Sequence, residues 1–126
     1  MAWSHGNFCW NELMTRDAAR ARNFYADTIG WTFDAMPMED MTYWVAKAAD
    51  KPVGGIFEMK GPDFESVPEN WMSYLAVDDV DRRVDRATAA GASLMRPIFE
   101  ISGVGRIAIL REPGGAVVGW MTPASA

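Results

Sequence analysis

The chain has 126 residues, 49% of them hydrophobic, enough apolar material to bury the core of one domain or of two small modules, which argues against disorder. Its formal charge is −5 and its twelve Lys and Arg are scattered among seventeen acids, which argues against a nucleic-acid surface because phosphate binding needs clustered cations. No window reaches the roughly 18 apolar residues of a membrane span. Met1 to Asn11 lacks the basic head and apolar run of a signal peptide, and the lone Cys9 allows no internal disulfide, so a cytoplasmic protein is expected.

Phe8 to Thr15 alternates with Phe8, Trp10, Glu12 and Met14 on one face and Cys9, Asn11, Leu13 and Thr15 on the other, the period of a strand. Thr15 or Asp17 can cap the helix that follows. Its residues Ala18, Ala21, Phe24 or Tyr25, and Thr28 or Ile29 return at helical spacing until Gly30 stops it. Arg16, Arg20 and Arg22 have Asp17 and Asp27 among them and read, at helical spacing, as a solvated face. Trp31 to Ala35 extends, Met36-Pro37 and Glu39-Asp40 turn, and Met41 to Ala48 is an aromatic and β-branched strand. Asp50-Lys51-Pro52 turns the chain into Val53 to Met59, where Gly54-Gly55 marks a bulge or a close backbone approach.

Lys60 to Asn70 shifts to Gly, Pro, Asp, Glu and Ser and reads as a connector. Trp71 to Val77 is then a strand with Met72, Tyr74 and Ala76 on one face. Asp78, Asp79 and Asp81 favour a helix N-terminus, Val80, Val84 and Ala87 line one face of that helix, and Gly91 ends it. Ser93 to Arg96 extends, Pro97 to Gly105 is an irregular stretch whose Gly103-x-Gly105 reads as a flexible lip, and Arg106 to Leu110 and Ala116 to Met121 form a hairpin around Glu112-Pro113-Gly114-Gly115.

The second half repeats the first. Leu13 and Leu75, Asp17 and Asp79, Arg20 and Arg82, Ala46 and Ala108, and Met59 and Met121 all stand 62 residues apart, and Gly30 and Gly91 miss that offset by one. The expected architecture is therefore α+β: two tandem βαβββ modules, about 7–59 and 71–122 with a connector at 60–70, forming a curved mixed sheet, a half-barrel cup, with the helices outside. A groove between two such halves suits a small molecule.

Trp10-Asn11-Glu12-Leu13-Met14-Thr15-Arg16-Asp17 with Asn23-Phe24-Tyr25 and Ile29-Gly30-Trp31, and the closing Asp78-Asp79-Val80-Asp81, Gly105-Arg106-Ile107-Ala108 and Glu112-Pro113-Gly114-Gly115-Ala116, resemble the vicinal oxygen chelate superfamily. That superfamily includes glyoxalase I, the bleomycin resistance proteins and extradiol dioxygenases, and the nearest-looking branch is a set of single-domain relatives of lactoylglutathione lyase. The resemblance implies a homodimer and, in members with metal chemistry, one ligand in the first and one in the last strand of each module. Those positions here carry Trp10 and Met72, and Glu58 and Gly119; Glu58 alone binds a divalent metal well, so neither a metal nor another cofactor is expected. His5 lies upstream as a tail residue.

The expected lining of the cup is Phe8, Trp10, Met14, Met72, Tyr74, Val117 and Gly119 with the carboxylates of Glu12 and Glu58. Such an aromatic and thioether surface suits a hydrophobic, aromatic or cationic organic ligand. Trp10 either stacks on that ligand or fills the space a metal would take. Glu12 and Glu58 act as general acid or base if burial moves their pKa toward neutrality, or are solvated or paired with Arg106 or Arg111. Cys9 faces the helix as a structural thiol. The expected function is thus small-molecule binding at a degenerate metal site; the alternative is a lyase, isomerase or dioxygenase-like enzyme using Glu58 and Glu12 or an unforeseen metal.

Overall fold

The structure of the chain, a computed structural model, describes residues 3–124. Two compact units divide it, residues 10–72 and residues up to 9 together with those from 73 onward. The division cuts through two strands rather than through the connector. The fold has the expected α+β class, each unit being a mixed sheet with one α-helix.

The first unit holds Phe8–Thr15 (β1, from its third residue), Ala18–Ile29 (α1), Thr32–Pro37 (β2), Thr42–Ala48 (β3) and Lys51–Glu58 (β4). The strand order is β2-β3-β4-β1, antiparallel except for the parallel β4-β1 pair. Asp17 starts α1 by accepting a hydrogen bond from the Arg20 N–H at 3.0 Å, and Gly30, at φ 78°, ends it in the left-handed region. Leu13, Ala18, Ala21 and Ile56 are buried together beneath the helix, with Tyr25, Phe33 and Trp44 packed on them. Two turns differ from expectation. Met36 and Pro37 complete β2, because proline is tolerated on the edge strand of this unit. Lys51 and Pro52 already belong to β4; the hairpin turns at Ala49 and Asp50, whose φ values of 50° and 66° give a two-residue primed turn. Pro52 sits where the β3-β4 register shifts between Ala46 and Lys47, a bulge that accommodates its missing N–H.

The second unit holds the larger part of Asn70–Ala76 (β5), then Val80–Ala89 (α2), Ser93–Leu94 (β6), Phe99–Ile101 (β7), Gly105–Arg111 (β8) and Val117–Pro123 (β9). The order is β5-β9-β8-β6, with β7 also on β8. Asp79 caps α2 through the Arg82 N–H at 3.2 Å, the counterpart of Asp17 and Arg20. Val77, Val80, Val84, Ala87, Ala108, Leu110 and Val118 form its core. The supposedly irregular stretch contains β7. Both β6 and β7 pair antiparallel with β8, so together they do what β2 does in the first unit. Arg96-Pro97 splits them, since proline lacks the ladder donor and restricts its predecessor.

That interruption shifts the repeat. Glu12 pairs with Gly55 and Tyr74 with Gly119, so the first strands correspond at 62 residues but the last strands at 64. The true counterpart of Ala108, which pairs with Trp120, is Trp44, which pairs with Ile56; the Ala46–Ala108 and Met59–Met121 matches are not structural equivalents.

Candidate functional site

Register places Gly55 beside Glu12 and Phe57 beside Met14, so Trp10, Glu12 and Met14 share a face of the first unit with β4, and Val45, opposite Gly55, adds alternate residues of β3 including Tyr43. On that face the Trp10 indole Nε1–H donates to the Tyr43 hydroxyl at 2.9 Å, and the Tyr43 hydroxyl donates to the Glu12 carboxylate at 2.8 Å. The chain of three is part-buried. Gly55 makes it possible, since a Cβ there would collide with the Tyr43 hydroxyl. Tyr43 was absent from the expected lining; the alternation of Tyr43, Val45 and Lys47 together with the flagged Gly54-Gly55 close approach carried the signal.

Glu58 does not join Glu12. It pairs with Thr15 in the β1-β4 register, which turns it to the helix face with Leu13 and Ile56. There its Oε1 accepts from the Ala18 N–H at 3.1 Å, at the first residue of α1, and its Oε2 lies 3.3 Å from the Lys60 ammonium. Thr122, 64 residues on, does the same in the second unit, accepting from the Val80 N–H at the first residue of α2 at 2.9 Å and donating to the Val77 carbonyl. Glu58 is a tether between strand end and helix start, and the two carboxylates do not form a pair across one face.

The other expected lining residues divide between units. Met72 is buried at the edge of the first, whereas Phe8 (69% exposed), Tyr74, Val117 and Gly119 belong to the second. Tyr74 is buried with its ring laid across Gly119, where a Cβ would collide with it. A metal of the superfamily's kind does not fit these residues. Glu58 is engaged on the helix side, a phenol ring covers Gly119, and among the described residues no three of His, Cys, Asp and Glu are grouped to hold a cation. Cys9 is half-buried, and burial pushes its thiol pKa up against a smaller opposing effect of a backbone hydrogen bond, as suits an inert thiol. His5 is more than a loose tail: its Nδ1 accepts from the Asp78 N–H at 3.0 Å.

Two clefts lie elsewhere on the first unit. One of about 280 Å³ is lined by Leu13, Arg20, Ala21, Phe24, Tyr25 and Glu69, the other of about 230 Å³ by Met41, Thr42, Trp44, Glu58 and Lys60. Neither includes Trp10, Glu12 or Tyr43. The rim of the first is a fixed network. Glu69 accepts from the Arg16 N–H, the Arg20 guanidinium and the Thr15 hydroxyl, which hold its pKa down at about 2.

Comparison with known proteins supplies the relatives. Residues 7–45 match the family described as bleomycin resistance protein-like N-terminal. The chain is 38% identical over 120 residues to the putative glyoxylase CFP32 of Mycobacterium bovis, covering 94% of this chain and 45% of that protein. It is 26% identical to the anthracycline biosynthesis protein DnrV of Streptomyces peucetius, over 85% of this chain and 43% of the relative. The chain thus spans just under half the length of these curated relatives. Among solved structures, methylmalonyl-CoA epimerase from Mycobacterium tuberculosis superposes with a TM-score of 0.66 at 18% identity, covering 99% of this chain and 93% of the epimerase. At that identity the likeness concerns the fold.

Proposed function

The chain belongs to the vicinal oxygen chelate superfamily, and we propose that within it this protein is a metal-free small-molecule-binding protein of the glyoxalase and bleomycin-resistance type. The ligand is a hydrophobic, aromatic or cationic organic molecule held against Trp10, Glu12, Met14 and Tyr43. One observation carries the reading: the Trp10–Tyr43–Glu12 hydrogen-bond chain fixes an indole, a phenol and a carboxylate on a face that also presents Met14 and Phe57. An aromatic platform of this kind supplies stacking and roughly 0.5–2 kcal/mol of attraction to a cation. The protein acts as a homodimer, a proposal supported by the exposed edge strand β2, and in the cytoplasm, supported by the single cysteine. No helix among the described residues is long and apolar enough to cross a membrane.

Titration of planar aromatic compounds against 15N-labelled protein tests the binding reading. The Trp10 Nε1–H resonance is expected to move first; ligands that bind while moving only other indoles would overturn it. Stoichiometric metal in purified protein would overturn the metal-free part, and a mass of one chain at micromolar concentration the homodimer.

A second reading, an enzyme of the lyase, isomerase or dioxygenase type, is favoured by the 2.8 Å contact between the Glu12 carboxylate and the Tyr43 hydroxyl, a base touching a proton carrier. Turnover of the hemithioacetal of methylglyoxal and a thiol that Glu12→Gln abolishes would support it.

A further inference from the structure

The larger cleft of the first unit lies on the helix side of β1, away from Trp10, since its lining residue Leu13 is buried with Ala18, Ala21 and Ile56 beneath α1. Arg20, Ala21, Phe24 and Tyr25 line it from one stripe of that helix. Ala21 contributes only a methyl group, so room remains among three longer side chains. The Phe24 and Tyr25 rings meet edge to face at 5.0 Å, and Phe24 stays 56% exposed, an apolar wall turned to solvent. At about 280 Å³ the cleft is near the low end of the roughly 300–1,000 Å³ of small-molecule sites, room for one small ring system.

The polar groups of the cleft keep donors in reserve. Glu69 is spent, its Oε1 accepting from the Thr15 hydroxyl and its Oε2 from the Arg16 N–H and the Arg20 guanidinium. Arg20 is not. Among the described residues its guanidinium meets acceptors through Nη2 alone, at 2.6 Å to Glu69 and 3.3 Å to Thr15, which leaves the N–H groups of Nε and Nη1. An indole N–H only donates, so the Tyr25 hydroxyl oxygen receives Trp71 Nε1 at 3.1 Å, and the phenol proton meets no acceptor among the described residues. Asp17, the other acid near Arg20, caps α1 and is not part of the lining.

We infer that this cleft is a binding site, separate from the Trp10 face, for a small aromatic carboxylate: the ring lies against Leu13, Ala21, Phe24 and Tyr25, and the carboxylate accepts from the Arg20 guanidinium, with the Tyr25 hydroxyl as a further donor. A planar guanidinium matches a planar carboxylate, and Glu69 holds it at the rim. The inference stands independently of whether the Trp10 face takes a ligand.

A matched pair of probes tests it: 1-naphthylacetic acid and its neutral amide share ring and shape but differ in charge. Calorimetry supplies the affinities, the Ala21 and Phe24 amide resonances of 15N-labelled protein the location, and Trp10 Nε1–H marks the other face. The acid is expected to move Ala21 and Phe24, leave Trp10 in place, and bind about tenfold more tightly than the amide, the worth of one charge-assisted hydrogen bond. Because the chain carries a net charge of −5, its overall field opposes that preference, which must come from local donors. Arg20→Gln is expected to abolish it. Arg22→Gln removes the same charge from the same helix, but Arg22 lies over the Trp44 ring and does not line the cleft, so this variant is expected to keep the preference. Tyr25→Phe, which retains ring and charge, is expected to weaken the acid about threefold, and it keeps the test open should Arg20→Gln unsettle α1 through Glu69. The inference is overturned if neither probe binds, if the acid binds no more tightly than the amide, if Arg22→Gln costs as much as Arg20→Gln, or if the acid moves Trp10 and leaves Ala21 and Phe24 in place. That last result would still support the binding proposed at Trp10, so the two sites stand or fall separately.

Discussion

Glu69 shows how far three donors can move one carboxylate. With the Arg16 N–H bonded first in strength, then Arg20 and Thr15, its pKa falls from 4.5 to about 2. A depressed folded-state pKa contributes stability that is fully present above the unfolded value near 4.5 and is lost as pH falls toward 2. Acid unfolding should therefore steepen within that window, and Glu69→Gln is expected to flatten the dependence there; a carboxyl resonance of Glu69 titrating near 4.5 would contradict the assignment. Gly55 makes a second claim. Gly55→Ala must displace the Tyr43 ring, at a cost of about 1–3 kcal/mol for overpacking, and should release Trp10 Nε1–H, which urea denaturation and the indole resonance will show. Side-chain faces were legible where alternation was clean, as in Trp10, Glu12 and Met14. Along Val53-Gly54-Gly55-Ile56-Phe57-Glu58 no polar and apolar alternation exists, so nothing in the residues told which way Glu58 pointed. Tyr43 went unassigned because its role depends on an empty space over Gly55, and a missing Cβ becomes informative only once its neighbour across the ladder is known.

Each helix start is held twice, once by its own capping aspartate and once from the last strand: Glu58 on the Ala18 N–H, Thr122 on the Val80 N–H. Removing one acceptor should loosen only the first turn it serves. Glu58→Ala and Thr122→Val are each expected to cost about 1 kcal/mol and to speed hydrogen exchange at Ala18 or Val80 respectively, without accelerating the other helix. Helices and caps were readable because their signals are local, Asp17 and Asp79 three residues before the amides they bind. The strands β6 and β7 were not, because two and three residues carry no measurable period. Only their shared partner β8 defines them.

Two core clusters with no residue in common support the chain, Leu13, Ala18, Ala21 and Ile56 in one unit and Val77, Val80, Val84, Ala87, Ala108, Leu110 and Val118 in the other. Ile56→Ala and Leu110→Ala, both fully buried positions, should each cost about 2–5 kcal/mol. Because they share no partner, their effects should add to within about 0.5 kcal/mol in the double variant; a large deficit in chemical denaturation would indicate coupling between the clusters. The α+β class and the doubled βα order were visible in composition and offset alone, whereas the exact equivalence of last strands was hidden by residues inserted around Pro97. The tyrosines give the doubled architecture a practical asymmetry. Tyr43 reaches its glycine from β3, Tyr74 reaches its own from β5. The space above the last-strand glycine is taken by a ring arriving from a different strand in each half, so a protein engineer who enlarges that space would start at position 43 in one half and at position 74 in the other.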